Sequence, residues 1–274
     1  MVNFDRINNL IEDLEKRNES YERKNFNEEL LVGVDLGTAY IVIVVLDKDK
    51  NPVACEMEFA QVIKDGLVVD YAGARTIVKR LKDKIEEKLG VELTKAAIAV
   101  PPGTGKRDCD THRYVVEGAG FEVTNILDEP TAANAVLNIE NGVIVDVGGG
   151  TTGLSIFENG EVVYTADEAT GGTHLSLVIS GNYKISFEQA EDIKKSKERS
   201  KEVFNIVLPV IQKISHIIKN NIKDFNVDSI YLVGGTCCLE GIEKVIEKDT
   251  GIKTFKPVNP FLVTPLGIAM NCVV

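Results

Sequence analysis

The 274-residue sequence lacks any apolar run long enough to cross a membrane. The longest run, Ile41 to Leu46, has only the length of a strand, and the acidic N-terminus contains no hydrophobic stretch of the signal-peptide type. Basic residues are also fewer than acidic ones. The sequence has 31 Lys and Arg against 42 Asp and Glu, which gives a net charge of -11. Since such a surface repels nucleic-acid phosphates and anionic lipids, we expect no nucleic acid and no membrane partner.

Cysteine pairs with a recognisable spacing are absent too. The sequence contains an odd number of cysteines, none in a CxxC motif: Cys55, Cys109, Cys237, Cys238 and Cys272. This excludes a disulfide framework and a structural zinc site, and it predicts a reduced, cytoplasmic protein in which Cys237-Cys238 serves packing. A Walker P-loop is excluded as well, because the pattern around Gly105-Lys106 requires glycine where the sequence has Val100.

Residues 1–29 differ from the rest of the chain in their high charge. Their apolar residues recur at a spacing that stripes one side of a helix, at Phe4, Ile7, Leu10, Ile11 and Leu14. Two interpretations remain open here. The helix packs on its own domain, or it docks a partner protein, with Arg17 to Glu29 as a linker in either case.

The segment after residue 30 predicts a mixed sheet covered by helices. Three apolar, β-branched strands come first, and helices then alternate with two further strands. The expected strands are Leu31–Asp35, Tyr40–Leu46, Pro52–Phe59, Ala96–Val100 and Glu122–Leu127. The expected helices are Ala72–Leu89, which stops at Gly90, Arg107–Gly118 and Thr131–Asn138.

The same pattern then repeats, which indicates an internal duplication. The second set of strands is Gly142–Val147, Thr152–Phe157, Glu161–Ala166, Ser229–Val233 and Lys253–Phe255. The second set of helices is Leu175–Ile179, Phe187–Lys195, Val203–Lys223 and Leu239–Lys248, with a last helix at Pro265–Asn271. The length suits two cores. We predict an N-terminal segment (1–29), lobe I (30–139, joined by 258–274) and lobe II (140–257).

Each half opens with a strand that runs into Asp-x-Gly. In the first half this motif contains Asp35, Gly37 and Thr38, and in the second it contains Asp146 followed by Gly148, Gly149, Gly150 and Thr151. Glycine lets the turn backbone approach a ligand, and successive N–H groups form a concavity that binds anions. The aspartates suit a hydrated magnesium ion. If the halves face each other, Asp35 and Asp146 meet across a cleft, where a cation would offset their repulsion.

Two further motifs lie between and after these turns. Glu129 precedes Pro130 and Thr131, which can open a helix. It is either an acidic residue favoured by the helix dipole, or a carboxylate that orients a water or a magnesium ion. A strand also runs into Gly234-Gly235-Thr236, which exposes backbone N–H groups to a phosphate or a ribose.

Together these motifs resemble the nucleotide site of the actin, Hsp70 and sugar-kinase superfamily. The five stretches occur in that superfamily's order: DLGTAY at 35–40, LDEPTAANAV at 127–136, VDVGGGTTGLSIF at 145–157, YLVGGTCCLEGIEKVI at 231–246 and TPLGIA at 264–269. The resemblance implies a duplicated RNase H-like, actin-like ATPase fold, with two mixed five-stranded sheets beside a cleft for ATP or ADP and Mg²⁺. It also implies a water-orienting role for Glu129 and, in the helix at 187–195, ribose or purine contacts for Glu191 and Lys194.

Within that superfamily the chain most resembles the EutJ family of ethanolamine-utilisation proteins, through the stretches at 62–68, 100–104 and 166–172. This likeness implies a chaperone-like or assembly factor associated with a bacterial microcompartment. Its partner would be a client or shell protein of the ethanolamine pathway, docked through residues 1–29. A nucleotide-dependent filament protein and a small-molecule kinase of the same fold remain alternatives.

Two departures from the Hsp70 pattern favour nucleotide binding over fast hydrolysis. Hsp70 proteins carry an acidic residue three positions after the glycine run, where this chain has Gly153. The sequence also shows no counterpart of the lysine that Hsp70 brings to the transferred phosphate. Losing one carboxylate and one cation weakens the electrostatic stabilisation of phosphoryl transfer. A magnesium-dependent ATPase activity therefore stays open.

Overall fold

The computed structural model describes residues 2–19 and 29–274. The first half contains helix α1 (Phe4–Glu19), strands β1 (Leu31–Leu36), β2 (Tyr40–Leu46) and β3 (Pro52–Phe59), a small hairpin of β4 (Ile63–Lys64) and β5 (Leu67–Val68), helix α2 (Tyr71–Leu89), β6 (Lys95–Val100), α3 (Lys106–Gly118), β7 (Glu122–Asp128) and α4 (Glu129–Leu137). Its five-stranded sheet has the order β3-β2-β1-β6-β7. β1 pairs antiparallel with β2 and parallel with β6, so the sheet is mixed as expected.

The second half repeats this arrangement. It contains β8 (Gly142–Val147), β9 (Thr152–Glu158), β10 (Glu161–Glu168), α5 (Gly172–Tyr183), α6 (Phe187–Lys195), α7 (Ser200–Ile222), β11 (Ser229–Val233), α8 (Ile242–Thr250), β12 (Lys253–Phe255) and α9 (Val263–Met270). Its sheet has the order β10-β9-β8-β11-β12, which is the order of the first sheet transposed to the second half. The predicted fold class, a duplicated α/β fold with two mixed five-stranded sheets, is therefore confirmed.

Several element boundaries differ from the predicted ones, most of all in α5, which spans Gly172–Tyr183 where the sequence predicted only Leu175–Ile179. Helix α4 begins at Glu129, and not at Thr131, because the Asp128 side chain accepts a hydrogen bond from the Thr131 N–H (2.9 Å) and caps the helix. The predicted helix from Leu239 begins only at Ile242, since Gly241 has a left-handed φ of 89°. Strand β10 extends two residues beyond Ala166, to Glu168.

Helix α9 returns from the end of the chain to the first half. It packs against α4, β1 and β2. Two glycines make this close approach sterically feasible: a Cβ on Gly33 would lie 2.4 Å from the Ala269 nitrogen, and one on Gly267 would lie 1.9 Å from the Ala132 oxygen. The helix therefore closes the first sheet on the side that faces the second half.

Helix α1 is part of the folded body. Ile7, Ile11 and Leu14 are buried in the core beside β3, which agrees with the first interpretation of the apolar stripe. The helix also reaches the second half, because the Phe4 ring lies 5.8 Å from that of Phe255 and the Asn8 Oδ1 accepts a hydrogen bond from the Val258 N–H (3.0 Å). The predicted linker falls mostly on residues 20–28, outside the described residues. No helix among residues 2–19 and 29–274 is both long and apolar enough for a membrane span.

Candidate functional site

The two Asp-x-Gly turns lie against each other. A Cβ on Gly149, in the turn between β8 and β9, would lie 3.1 Å from the Thr38 Cβ and 3.4 Å from the Ala39 nitrogen, in the turn between β1 and β2. Each turn is also tight within itself, since a Cβ on Gly37 would lie 2.8 Å from the Tyr40 oxygen. The structure therefore brings together two turns that are more than a hundred residues apart in the sequence.

Carboxylates from both lobes converge at these turns. Asp35 is near the end of β1, and its pKa is raised to about 7, first by burial and then by the charge of Asp146. Burial raises the pKa of Asp146 to about 6, against the effect of a hydrogen bond from Thr264 and with a contribution from Asp167. The two aspartates therefore interact electrostatically across the lobes, and no basic side chain of the described residues lowers the pKa of either carboxyl group.

Glu129 belongs to the same group of charges. Its pKa is raised well above the ordinary value by burial, and then by the charges of Asp146 and Asp35. Glu129 is the first residue of α4, where a helix dipole alone would lower the pKa of a carboxyl group. Burial and neighbouring carboxylates outweigh the dipole, so the dipole alone does not account for this carboxyl group; that Glu129 orients a water or a magnesium ion stays a prediction.

Thr264 is a site residue that the sequence analysis did not assign. Its hydroxyl donates a 2.5 Å hydrogen bond to the Oδ2 atom of the buried Asp146 carboxylate. The residue begins the TPLGIA stretch, so the motif contained a signal for it. This contact links the start of α9 to the second aspartate and fixes the orientation of its carboxylate.

The chemistry of these donors fits a hydrated divalent cation. Among residues 2–19 and 29–274 no group of three or more His, Cys, Asp or Glu side chains is arranged to hold a metal ion directly. Magnesium, however, retains most of its waters in proteins and needs only one or two carboxylates besides phosphate oxygens. The mutual repulsion of Asp35 and Asp146 is what such an ion would relieve. These residues can therefore hold magnesium through water, but they do not form a complete protein cage.

In the glycine turn of the second lobe the Gly148 and Gly149 carbonyl groups accept hydrogen bonds, whereas within the described residues only the Gly148 N–H donates one, to the Thr151 oxygen (3.0 Å). The Gly148 oxygen accepts hydrogen bonds from the Gly172 N–H (3.0 Å) and from the Thr236 hydroxyl (2.7 Å). The Gly149 oxygen accepts one from the Thr173 N–H (2.7 Å). The N–H groups of Gly149 and Gly150 form no backbone hydrogen bond with the described part of the chain. Open N–H groups beside turn residue Thr151 suit an anionic ligand such as a phosphate.

The Gly234-Gly235-Thr236 turn closes one end of this site. A Cβ on Gly234, which has φ 89°, would lie 2.2 Å from Asp146 Oδ1, so only glycine fits there. A Cβ on Gly235 would lie 3.3 Å from the Phe261 ring. The third predicted glycine turn therefore lies directly beside the second aspartate, as a common ligand would require.

Glu191 and Lys194 of α6 lie next to the same turn and pair with each other. The Lys194 ammonium donates to Glu191 Oε1 (2.5 Å) and to the Gly172 oxygen (3.2 Å). Glu191 is buried and also accepts a hydrogen bond from the Ser176 hydroxyl. The two residues predicted for ribose or purine contacts are thus at the site. A nucleotide would approach a pre-formed ion pair and not two free side chains.

Lys195 was missed in the sequence, although it joins the two lobes. Its ammonium group lies 3.2 Å from the Tyr40 hydroxyl and above the Tyr40 and Phe59 rings, at 5.1 and 4.8 Å from their centroids. Tyr40 and Phe59 belong to the first lobe, whereas Lys195 ends α6 in the second. No sequence pattern pairs residues so far apart.

Comparison with known proteins identifies the relatives of this chain. A family model described as type IV pilus assembly protein PilM matches residues 109–270. The ethanolamine utilization protein EutJ of Escherichia coli K12 is 41% identical over 243 residues, which cover 88% of this chain and 86% of that protein. The crystal structure of EutJ from Carboxydothermus hydrogenoformans has 46% identity and a TM-score of 0.92, and covers 98% of this chain and 99% of its own.

A more distant solved structure shows the same fold. The crystal structure of MreB5 of Spiroplasma citri bound to ADP has 18% identity and a TM-score of 0.70, and the match covers 87% of this chain and 94% of that one. The likeness at this identity concerns the fold alone. The chain has the fold of the actin-like ATPases. It belongs to the family of the ethanolamine utilization protein EutJ, and its residues 109–270 belong to the family described as PilM.

Proposed function

We propose that the space between the two lobes binds ATP or ADP with magnesium, and that nucleotide state controls a chaperone-like or assembly role in ethanolamine utilization. The observation that carries the binding proposal is the contact between Gly149 and Thr38, which brings Asp35 and Asp146 into electrostatic contact. The match to a fold relative that was solved with ADP supports the choice of nucleotide. The family relationship supports the pathway.

In this proposal each residue has one task at the nucleotide. Asp35 and Asp146 hold magnesium through its waters, and Thr264 keeps the Asp146 carboxylate in position. The open N–H groups of Gly149 and Gly150 donate to phosphate oxygens. Bound magnesium supplies charge neutralisation to the phosphates. Glu129 accepts a hydrogen bond from the attacking water and orients it. With Gly153 in place of an acid and no lysine at the transferred phosphate, we expect slow hydrolysis.

The chaperone-like role requires that nucleotide binding changes the surface that a partner meets. The two lobes meet at the site, so a ligand bound between them can couple their relative position to its own state. A client or shell protein of the pathway is the partner that the family suggests. Because Ile7, Ile11 and Leu14 are buried in the body, the stripe of residues 1–29 is not a free docking surface, and any docking there would use the outer face of α1.

The binding proposal is tested by calorimetry with magnesium and ATP or ADP. The parent protein should bind both nucleotides, and Asp146→Ala should bind them at least about tenfold more weakly, since it removes one of two carboxylates around the ion. Glu158→Ala, which removes an exposed carboxylate from the next strand of the same lobe, should bind like the parent. Unchanged affinity in Asp146→Ala would remove this residue from the site, and no binding by the parent would refute the proposal.

The filament and kinase alternatives predict different observations. The fold match to MreB5 gives the filament alternative its physical basis. Light scattering should stay flat when magnesium and ATP are added to the protein, whereas filament growth would favour the structural alternative. A phosphorylated small molecule among the products would instead support the kinase.

A further inference from the structure

The hairpin of β4 and β5, in the first lobe, lies against the glycine turn of the second. A Cβ on Gly150 would lie 2.9 Å from the Asp65 Cα, 3.0 Å from the Asp65 nitrogen and 3.0 Å from Asp65 Oδ1. Gly150 is buried although it lies in a turn, and it is not one of the glycines with a positive φ. The missing side chain at Gly150 therefore allows the close approach of Asp65 and does not serve an unusual backbone conformation.

The tip of this hairpin is held in place from the first lobe. Lys64 pairs with Leu67, so Asp65 and Gly66 form a two-residue turn, and both have positive φ angles, of 47° and 75°. A Cβ on Gly66 would lie 2.6 Å from the Cγ of Pro101, the residue that follows β6. Because the proline ring is rigid and the turn is tight, the Asp65 carboxylate is presented to the second lobe at a defined place.

Asp65 brings a negative charge to the end of the glycine turn that is farther from the proposed adenosine side. The Gly148 oxygen accepts a hydrogen bond from the Thr236 hydroxyl (2.7 Å), so the turn begins beside the third glycine turn. Gly150 lies two residues further along and faces Asp65. The charge of Asp65 already acts on the second lobe, since it contributes to the raised pKa of Asp167 in β10. A phosphate chain that follows the open N–H groups of the turn therefore approaches the Asp65 carboxylate with its last phosphate.

We propose that Asp65 is a specificity-determining residue of the nucleotide site, which disfavours a third phosphate and shifts the preference of this chain from ATP toward ADP. This inference rests on the proposed nucleotide binding and goes beyond it by assigning the selectivity to a residue outside the nucleotide motifs. ATP has one phosphate more than ADP, and this phosphate has the same sign of charge as Asp65. The Asp65 side chain is exposed, so water weakens the repulsion. At a separation of roughly 5 Å near a protein surface, one additional pair of like charges changes an affinity by about three- to tenfold.

The test compares two aspartates in hairpin turns of the same lobe. Asp65→Asn removes the charge and preserves the shape, and asparagine tolerates the left-handed backbone conformation of this position. Asp49→Asn makes the same change at an exposed residue between β2 and β3. Calorimetry with magnesium gives the dissociation constants for ATP and for ADP. We expect Asp65→Asn to bind ATP about three- to tenfold more tightly than the parent and ADP within about twofold of it, and Asp49→Asn to match the parent for both.

Salt dependence separates an effect of charge from an effect of structure. In 1 M KCl the Debye length is about 3 Å, so the repulsion between Asp65 and a phosphate is largely screened. The ratio of ATP affinity to ADP affinity in Asp65→Asn should then differ from that of the parent by less than about twofold. A difference in this ratio that persists unchanged in 1 M KCl would overturn the proposal, because it would reflect a change in the shape of the hairpin.

Each contrary result has a distinct meaning. If the parent binds neither nucleotide, the proposed function itself fails. If the parent binds both and the ratio of the two affinities is the same in Asp65→Asn, only the assignment of Asp65 is wrong. An equal gain for ATP and ADP would also overturn it, because the charge would then act on phosphates that the two nucleotides share. Thermal unfolding without ligand measures the integrity of the variant, and we expect its melting temperature to lie within about 2 °C of that of the parent.

Discussion

At the scale of single residues, the carboxylates of the cleft oppose folding while they serve binding. Asp35 is half-buried, and the charge of another acid, Asp146, contributes to its raised pKa. Such an arrangement is costly in the free protein and becomes favourable only when a cation is bound. Residues of this kind mark functional sites, because folding alone would not favour them.

Asp35→Asn should therefore stabilise the nucleotide-free protein, and more so at higher pH. The pKa of Asp35 is 3.8 for the ordinary carboxyl group and about 7 in the folded protein. The unfolded chain thus loses the proton first, and stability falls as the pH rises between these two values. The complete penalty, on the order of 2–4 kcal/mol, is present above the folded pKa. Denaturant titrations in EDTA at about pH 5 and about pH 8 measure the free energy of unfolding of both proteins.

Asp49→Asn is the matched control for this experiment, because its side chain is exposed in the turn between β2 and β3. Its effect on stability should be small and independent of pH. An advantage of Asp35→Asn over the parent that does not grow with pH would contradict the raised pKa. We also expect Asp35→Asn to bind magnesium and ATP more weakly, so that the same substitution raises stability and lowers ligand affinity.

Local patterns revealed some of the site residues and could not reveal others. Asp35 and Asp146 were predictable, because each follows a buried strand into a glycine turn and the motif is contained in a few residues. Thr264 was not assigned, although its hydroxyl binds Asp146, because 118 residues separate the two. Contacts that depend on strand pairing, or on a helix that returns to an earlier part of the chain, produce no recognisable residue spacing in the sequence.

At the scale of elements, α1 carries more stability than its position at the chain terminus suggests. Ile11 and Leu14 are completely buried, and Ile7 nearly so, in the core beside β3. Apolar periodicity predicted this helix, but it could not choose between packing on the chain and docking a partner. That choice depends on which surface is left uncovered by the sheet, a property of the whole fold.

Ile11→Ala should destabilise the protein by roughly 2–5 kcal/mol, because it opens a cavity at a fully buried position. Asn9→Ala, on the exposed side of the same helix, should change stability by less than about 0.5 kcal/mol. Urea titrations of the two variants measure the difference. A small effect of Ile11→Ala would mean that α1 is detached from the body in solution. For the same reason, deletion of residues 1–29 should lower stability and not only affect a partner.

Element boundaries were predictable where a single residue determines them. Gly90 ends α2 in the left-handed conformation that glycine favours, as the sequence indicated. The start of α4 was misplaced because Asp128, and not Pro130, caps the helix. The hairpin of β4 and β5 was missed altogether, since two-residue strands have no periodicity.

At the scale of the whole molecule, the duplication was visible in the sequence but the contact between its halves was not. The repeated Asp-x-Gly signature predicted two similar sheets, and both have the same strand order. The side chains that join the lobes do not belong to the repeat. Lys195 meets Tyr40 and Phe59, and Tyr40 also contacts Phe261 with ring centroids 5.5 Å apart. In this cluster of Lys195, Tyr40, Phe59 and Phe261, only Lys195 comes from the second lobe, so its contacts with Tyr40 and Phe59 are the ones that join the lobes.

Lys195→Met should loosen the lobes and accelerate nucleotide release, because it removes the charge above two aromatic rings while preserving the apolar stem. Two such cation–π contacts are worth enough to increase the dissociation rate roughly three- to tenfold. Stopped-flow release of a fluorescent ADP measures this rate, and small-angle X-ray scattering should show a larger radius of gyration for the free variant. Lys201→Met makes the same change of charge at an exposed position of α7 and should behave like the parent. If Lys195→Met releases ADP at the parental rate and has the parental radius, the cluster does not restrain the lobes. Faster release with an unchanged radius would place its effect on the bound state, where Lys195 also lies 3.5 Å from Glu191.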